Sequence, residues 1–285
     1  MERISHPANM QARARGWRGE NAGIAFVPTM GCLHEGHMAL VRRAHELGER
    51  VVVSIFVNPT QFGPREDLEA YPRDLPRDLA LCRDAHVDAV FHPSVADMYE
   101  PDASTVVDES VLSVGLCGAS RPGHFRGVLT VVTKLFNCVL PDIAVFGQKD
   151  AQQACLVRRL VRDLNIPVAI DVVPTVREPD GLALSSRNAY LGAGERHEAA
   201  ALYQSLELAR QHVADGVCGW PSVEAAMRTC IHAQAPSAVI EYLSAVDSNS
   251  LRPVDSFRGP VLIALAVRIG ATRLIDNAVV APPAV

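Results

Sequence analysis

The stretch Gly23-Ile24-Ala25-Phe26-Val27-Pro28-Thr29-Met30-Gly31-Cys32-Leu33-His34-Glu35-Gly36-His37 decides how the chain is read. Its first part, residues 24–27, is continuously apolar and closed by Pro28. A strand without polar alternation is one buried on both faces, as in a parallel sheet. Its last part opens a helix over residues 36–46, with Met38, Leu40, Val41 and Ala44 apolar and Gly48 as the stop. Between them lies a polar loop with two glycines and two histidines. In an open α/β sheet, ligands bind at the carboxyl ends of the strands, where this loop falls.

Outward from this unit the pattern repeats. Apolar strands are expected at 50–57, 87–91, 143–146 and 168–173, with a weak one at 105–107. Helices are expected at 72–85, 125–140 and 151–164. The first twenty residues are polar and weakly patterned, and are expected to be an irregular lead-in. After about residue 176 two long helical patterns, 194–214 and 221–234, precede strand-like runs at 238–246, 261–269 and 273–275. The expected fold class is therefore α/β. A Rossmann-like parallel-sheet nucleotide-binding domain over 1–175 is followed by a smaller α+β domain over 176–285.

Composition excludes several function classes. The chain has 285 residues, 48% of them apolar and 21% charged, which fits a folded globular protein rather than a disordered one. Lys plus Arg number 27 against 32 Asp plus Glu, a net charge of −5, which argues against a long nucleic acid as partner. No apolar run approaches the length of a membrane span, and the start has no apolar stretch behind its charges. Seven cysteines, none paired as C-x-x-C, speak against a disulfide framework or structural zinc. A reduced, cytoplasmic chain is expected.

Four polar clusters follow strand ends. In the first, residues 30–37, Gly31 and Gly36 allow backbone to approach a ligand, and the helix start offers unpaired N–H groups to phosphate. His34 and His37, three apart, can face the ligand together, as doubly donating imidazolium groups beside a phosphate. They are not a zinc-protease pair, which needs histidines four apart on a helix. The competing reading is a polar helix start with no ligand role. The second cluster is Gly147-Gln148-Lys149-Asp150-Ala151-Gln152-Gln153, where Lys149 can meet phosphate and Asp150 ribose hydroxyls. The third, Leu184-Ser185-Ser186-Arg187-Asn188, presents two hydroxyls and a guanidinium. The fourth runs from Phe56 through Asn58, Pro59, Thr60 and Gln61 to Gly63; Gln61 both donates and accepts. No P-loop or intact dinucleotide fingerprint is present.

At these residues the chain resembles the pantoate–β-alanine ligase family, the pantothenate synthetases. The resemblance rests on PTMGCLHEGH at 28–37, FVNPTQFGPREDLEAYPRD at 56–74 and SRPGHFRGVLTVVTKLFN at 120–137. It continues in PDIAVFGQKDAQQ at 141–153, LSSRN at 184–188 and GATRLIDN at 270–277. The H-x-G-H element alone is shared with the wider nucleotidyltransferase superfamily. The resemblance implies ATP-dependent joining of pantoate to β-alanine through a pantoyl adenylate, with AMP and pyrophosphate released and magnesium required. It implies ATP contacts from Met30, Gly31, Cys32, Leu33, His34, Glu35, Gly36, His37, Gly147, Gln148, Lys149, Asp150, Val176, Leu184, Ser185, Ser186 and Arg187. His37, His34, Lys149 and Arg187 take catalytic roles, His37 as proton donor, and Gln61 and Gln153 hold substrate. It also implies a homodimer.

Departures from the family pattern are few: Cys32 for a small residue, Leu184 for Met and Gln148 for Glu, with a poor match before residue 23. Cys32 beside a phosphate site is expected to confer sensitivity to thiol reagents. Nothing forms an acidic cluster near the motif, so magnesium is expected to ride on the ATP phosphates. Two other readings remain open at this point: a different adenylyl- or cytidylyltransferase, and a nucleotide-binding regulatory protein without catalysis.

Overall fold

The computed structural model describes residues 1–64 and 66–282. The elements in chain order are β1 (Glu2–Ile4), α1 (Pro7–Gly19), β2 (Ile24–Thr29), α2 (Glu35–Leu47), β3 (Arg50–Ile55) and α3 (Leu75–Asp84). There follow β4 (Ala89–Phe91), α4 (Val95–Met98), α5 (Cys117–Ser120), α6 (His124–Val139), β5 (Ile143–Gly147), α7 (Ala151–Asp163) and β6 (Ala169–Val173). The last are α8 (Ala193–Ala214), α9 (Trp220–Gln234), β7 (Val239–Asp247), β8 (Val261–Ile269) and β9 (Thr272–Val280). Two compact units are distinguished. The first comprises Met1–Val111, Arg121–Gln148 and Gln153–Pro174; the second comprises Leu112–Ser120, Lys149–Gln152 and the chain from Thr175 onward.

The first unit is a six-stranded sheet in the order β1-β4-β3-β2-β5-β6, every described pairing parallel. Its central strands are largely apolar because both faces are covered, whereas the edge strands β1, with Glu2 and Arg3, and β6, with Asp171, are polar in part and less buried. Ala25, Val27, Val51, Val53 and Val145 point to one face, against Met38, Leu40, Val41 and Ala44 of α2 and Cys82 of α3. Phe26 points to the other, where its ring meets Phe136 of α6 edge-on at 6.3 Å. β2 lies between β3 and β5, at the point where the strand order reverses, so Thr29 and Gly147 close neighbouring strands at the switch point of the sheet.

Several sequence expectations need correction. The first twenty residues are not irregular: β1 extends the sheet beyond β4, and α1 is a three-turn helix. Met10, Ala14 and Trp17, spaced four and three apart, form its buried stripe, which is easily missed among five polar or basic neighbours. Residues 105–107 form no strand, and Val106 is exposed. The first strand does not stop at Pro28 but runs to Thr29. Proline is tolerated there because Thr29 O accepts from Phe56 N on the β3 side, which turns Pro28 toward β5. Pairing with β5 is formed lower, at Ala25 and Phe26, so no ladder bond is lost.

The second unit is an antiparallel sheet β7-β8-β9 with α8 and α9. Leu202, Leu206, Ala209 and Val213 of α8 and Val223, Met227 and Ile231 of α9 join Ile263, Leu265 and Val267 of β8 in one core. The 176–184 segment is pinned to this sheet. Arg177 makes a two-bond pair with buried Asp276 of β9, at 2.6 and 3.0 Å, and lies over the Tyr203 ring.

Candidate active site

The loop after β2 is built from its own hydrogen bonds. His34 is the N-cap of α2, and its Nδ1 accepts from Gly36 N at 3.2 Å. His37, three residues on, returns the contact: its Nδ1 accepts from His34 N at 3.3 Å. The two histidines therefore form a capping box, and the rings lie with centroids 4.1 Å apart. Both histidines thus serve the start of α2. A ring nitrogen that accepts N–H carries no proton, so both imidazoles are fixed with Nε2 as the donor. This corrects the expectation of doubly donating imidazolium groups. A proton on Nδ1 would expel the capping N–H, and two cationic rings this close would repel.

The backbone N–H groups of the loop are also committed. Gly31 N donates to Thr29 Oγ1 at 3.1 Å, and Cys32 N and Leu33 N donate to the two oxygens of Asp78, at 2.8 and 2.7 Å. The expected unpaired N–H groups for phosphate are thus already used at residues 31–34 and 36. Gly31 has φ +88°, and a Cβ there would stand 3.0 Å from both Asp78 Oδ2 and Ile55 Cγ2, so glycine is required. Cys32 also has positive φ, 50°. Its thiol is pushed up by burial and by the Asp78 charge, which works against the expected thiol sensitivity. Glu35 pairs with Arg42 at 2.6 Å on the helix surface.

Gln61 sits in a single 3₁₀ turn after β3 and is buried. Its Nε2 donates to Met30 Sδ at 3.1 Å, joining two of the residues singled out from the sequence. Its Oε1 accepts from Asn58 Nδ2 at 3.2 Å. Its carbonyl accepts from His124 Nδ1 at 2.8 Å and from Arg121 Nη2 at 3.3 Å. Arg121 donates to His124 Nε2 at 2.9 Å and grips both oxygens of Glu66, at 2.7 and 2.6 Å. Burial pushes the Glu66 carboxyl up, but the Arg121 bonds and charge outweigh it and leave it below its usual range. Gly127 lies directly beneath: a Cβ there would be 2.3 Å from Thr60 O. The block at 120–127 is thus the support of the Gln61 turn, a role that reading the sequence did not assign. The signal was its Arg, His and Gly spacing at the start of α6, meaningful only once α6 is seen to pack on that turn.

Gly147 ends β5, Gln148 follows in a 3₁₀ turn, and Gln153 is half-buried in the first turn of α7. In the second unit, Lys149 Nζ stands 3.9 Å from Asp150 Oδ1, and Lys149 O accepts from Asn277 Nδ2 at 2.9 Å. Leu184 N donates to Val176 O at 3.0 Å, so two more predicted residues are brought together. Ser185 caps the 3₁₀ turn Ser186–Tyr190, its Oγ accepting from Arg187 N at 3.2 Å. Buried Gln152, part of the second polar cluster but given no role there, accepts from Cys117 N and donates to the carbonyls of Leu112 and Gly115.

The strand order, with a histidine-containing loop closing β2 at the switch point, defines the class: a Rossmann-like α/β protein with a smaller α+β unit. The family model for pantoate-beta-alanine ligase matches residues 2–279, and the chain belongs to that family. It is 56% identical over 257 residues to the pantothenate synthetase of Thermosipho melanesiensis, covering 90% of this chain and 91% of that one. It is 53% identical over 280 residues to that of Heliobacterium modesticaldum, covering 98% and 99%. The crystal structure of pantothenate synthetase from Thermus thermophilus matches with a TM-score of 0.93 at 44% identity, covering 99% of this chain and 100% of that one. The Francisella tularensis pantoate-beta-alanine ligase, complexed with beta-gamma ATP and beta-alanine, matches with a TM-score of 0.81 at 34% identity, covering 98% and 97%.

Proposed function

We propose that this chain joins pantoate to β-alanine at the expense of ATP, giving pantothenate, AMP and pyrophosphate through a pantoyl adenylate. The observation that carries the reading is the H-x-G-H capping box, whose two rings each keep Nε2–H as their donor. In the first step a pantoate carboxylate oxygen attacks the α-phosphorus, the bond to the β-phosphate bridging oxygen breaks, and pyrophosphate leaves. Charge gathers on phosphate oxygens, and two preset N–H donors stabilise it without reorganisation. His37 takes its donor role as a neutral ring, giving a hydrogen bond from Nε2–H to the departing pyrophosphate, which leaves as the anion and needs no proton. In the second step the β-alanine amine attacks the acyl carbon, the acyl C–O bond breaks, AMP leaves and the nitrogen loses a proton.

Residues 30–37, 147–150, 176 and 184–187 contact ATP in this reading, with Lys149 and Arg187 adding positive charge. Gln61 and Gln153 hold pantoate. A neutral amide suits a substrate whose carboxylate becomes the uncharged acyl group of a mixed anhydride, and Gln61 is held rigid from both its side chain and its carbonyl. Domains over 1–175 and 176–285, a homodimer and a cytoplasmic location belong to the same reading. Among the described residues no helix is long and apolar enough to cross a membrane.

Among the described residues, no group of three or more His, Cys, Asp or Glu side chains is arranged to hold a metal ion. Magnesium belongs to this reading as an ion carried on the ATP phosphate oxygens and water. The test is AMP release measured with ATP, pantoate and β-alanine omitted in turn. Turnover only with all three supports the reading. AMP release without pantoate points to another nucleotidyltransferase, and nucleotide binding without any turnover to a regulatory protein.

A further inference from the structure

The carboxylate of Asp78 is one of the few buried charges of the first unit, 1% exposed, and nothing in the chemistry above uses it. It projects from α3, far along the sequence from the H-x-G-H loop. Its two oxygens accept the consecutive N–H groups of Cys32 and Leu33. The neighbouring Arg77 donates from Nη1 to Leu33 O at 2.9 Å, so one dipeptide of α3 grips both polar groups of Leu33. The gripped turn has two successive positive φ values, +88° at Gly31 and 50° at Cys32, and the second is a conformation a side chain rarely takes. Such a turn aims successive N–H groups at one anion, the geometry that elsewhere receives phosphate. Here an internal carboxylate occupies it. Leu33 leads directly into His34, the N-cap, and so into the histidine pair.

We propose that Asp78 is a positioning residue for the nucleotide loop. By occupying the backbone cradle of residues 32–33 it holds the turn in its left-handed form, sets the capping box and leaves phosphate contact to the two imidazole Nε2–H groups. The inference rests on the function proposed above. Burial raises the Asp78 carboxyl above its ordinary value despite the two N–H bonds and Arg77, and Asp74 adds to the rise. The groups facing it are Arg77 and Asp74 of its own helix, the Cys82 thiol one turn on, and the Cys32 thiol from the loop. A buried charge with an unfavourable environment is retained for the geometry it imposes.

Two readouts on Asp78→Asn test this. The first is pantoate-dependent ATP–pyrophosphate exchange without β-alanine, which isolates the first step. Misplacement of the histidine pair should lower its kcat about 10- to 100-fold, with pantoate KM little changed. The second is independent of activity: the rate of Cys32 alkylation, followed by peptide mass mapping, with exposed Cys218 as the internal control. Loss of the Asp78 charge and of the grip should speed Cys32 several-fold and leave Cys218 unchanged. Both effects together support the proposal; either one at its wild-type value overturns it. If the Asn variant does not fold, Asp78→Glu carries the exchange assay, where kcat must fall with pantoate KM unchanged. Wild-type enzyme without pantoate-dependent exchange would sink the functional reading instead, while the alkylation result would still judge the grip.

Discussion

His124 Nδ1 donates to the carbonyl of Gln61 across 2.8 Å, and this bond ties the start of α6 to the Gln61 turn after β3. The ring is held in that tautomer because its Nε2 accepts from Arg121, itself locked on Glu66. His124→Ala should therefore raise pantoate KM about tenfold, the loss of a hydrogen bond of roughly 1.4 kcal/mol, and leave ATP KM nearly unchanged. Steady-state kinetics with each substrate varied checks this. Equal losses for both substrates would contradict the assignment. Gly127→Ala drives a Cβ onto Thr60 O and should lower thermal stability by at least about 1–3 kcal/mol.

His37→Ala removes both an Nε2–H donor and half of the capping box. Loss of the cap should cost about 1 kcal/mol of stability, read from thermal melts. Loss of the donor should lower kcat of adenylate formation about 100-fold or more. ATP KM should move far less, because the interaction strengthens as charge develops. An unchanged kcat with weakened ATP binding would remove the transition-state role.

Acid should affect activity and stability in different windows. Asp78 has a raised carboxyl in the folded chain, so its ionised form costs stability, and that cost is relieved as pH falls through its folded pKa. Protonation nevertheless converts an acceptor of Cys32 or Leu33 N–H into a hydroxyl. Glu66 has the opposite sign: its folded pKa is lowered, so its stabilisation is complete above its ordinary 4.5 and is lost as pH falls through the lowered value. Exchange activity should thus decline at a pH above the ordinary aspartate value of 3.8, before the contribution of Glu66 to stability is lost. Parallel pH profiles of exchange and melting temperature decide this; coincident declines would contradict it.

The second unit offers a separate stability test. Arg177 and Asp276 are joined by two short bonds, with Asp276 almost fully buried. Asp276→Ala leaves a guanidinium facing an empty acceptor site and should cost about 3–5 kcal/mol, measured by denaturant unfolding. It also frees the segment that carries Arg177, next to Val176, so ATP KM should rise in variant protein that remains folded.

Much of this was legible in the sequence, for identifiable reasons. β2 and β5 carry short unbroken apolar runs, and β3 carries Val51-Val52-Val53 with only Ser54 before Ile55, so their burial could be read directly. The H-x-G-H spacing was visible, but not that each Nδ1 would be consumed by capping, because that depends on the φ and ψ of His34. Asp78 and the Arg121–His124 pair were not legible as supports. Their partners are 45 to 63 residues away in sequence, and no local period encodes such a contact. α1 was missed because its buried stripe is only three residues wide.

The central claim is that pantoate attacks the α-phosphorus of ATP through its own carboxylate oxygen, and the fate of that oxygen tests it most directly. Pantoate labelled with ¹⁸O in both carboxylate positions should be converted with ATP and β-alanine, and the AMP and pantothenate weighed by mass spectrometry. An adenylate route breaks the acyl C–O bond in the second step. It must therefore leave one ¹⁸O on the AMP phosphate and one on the new amide carbonyl. Unlabelled AMP beside pantothenate would contradict the account.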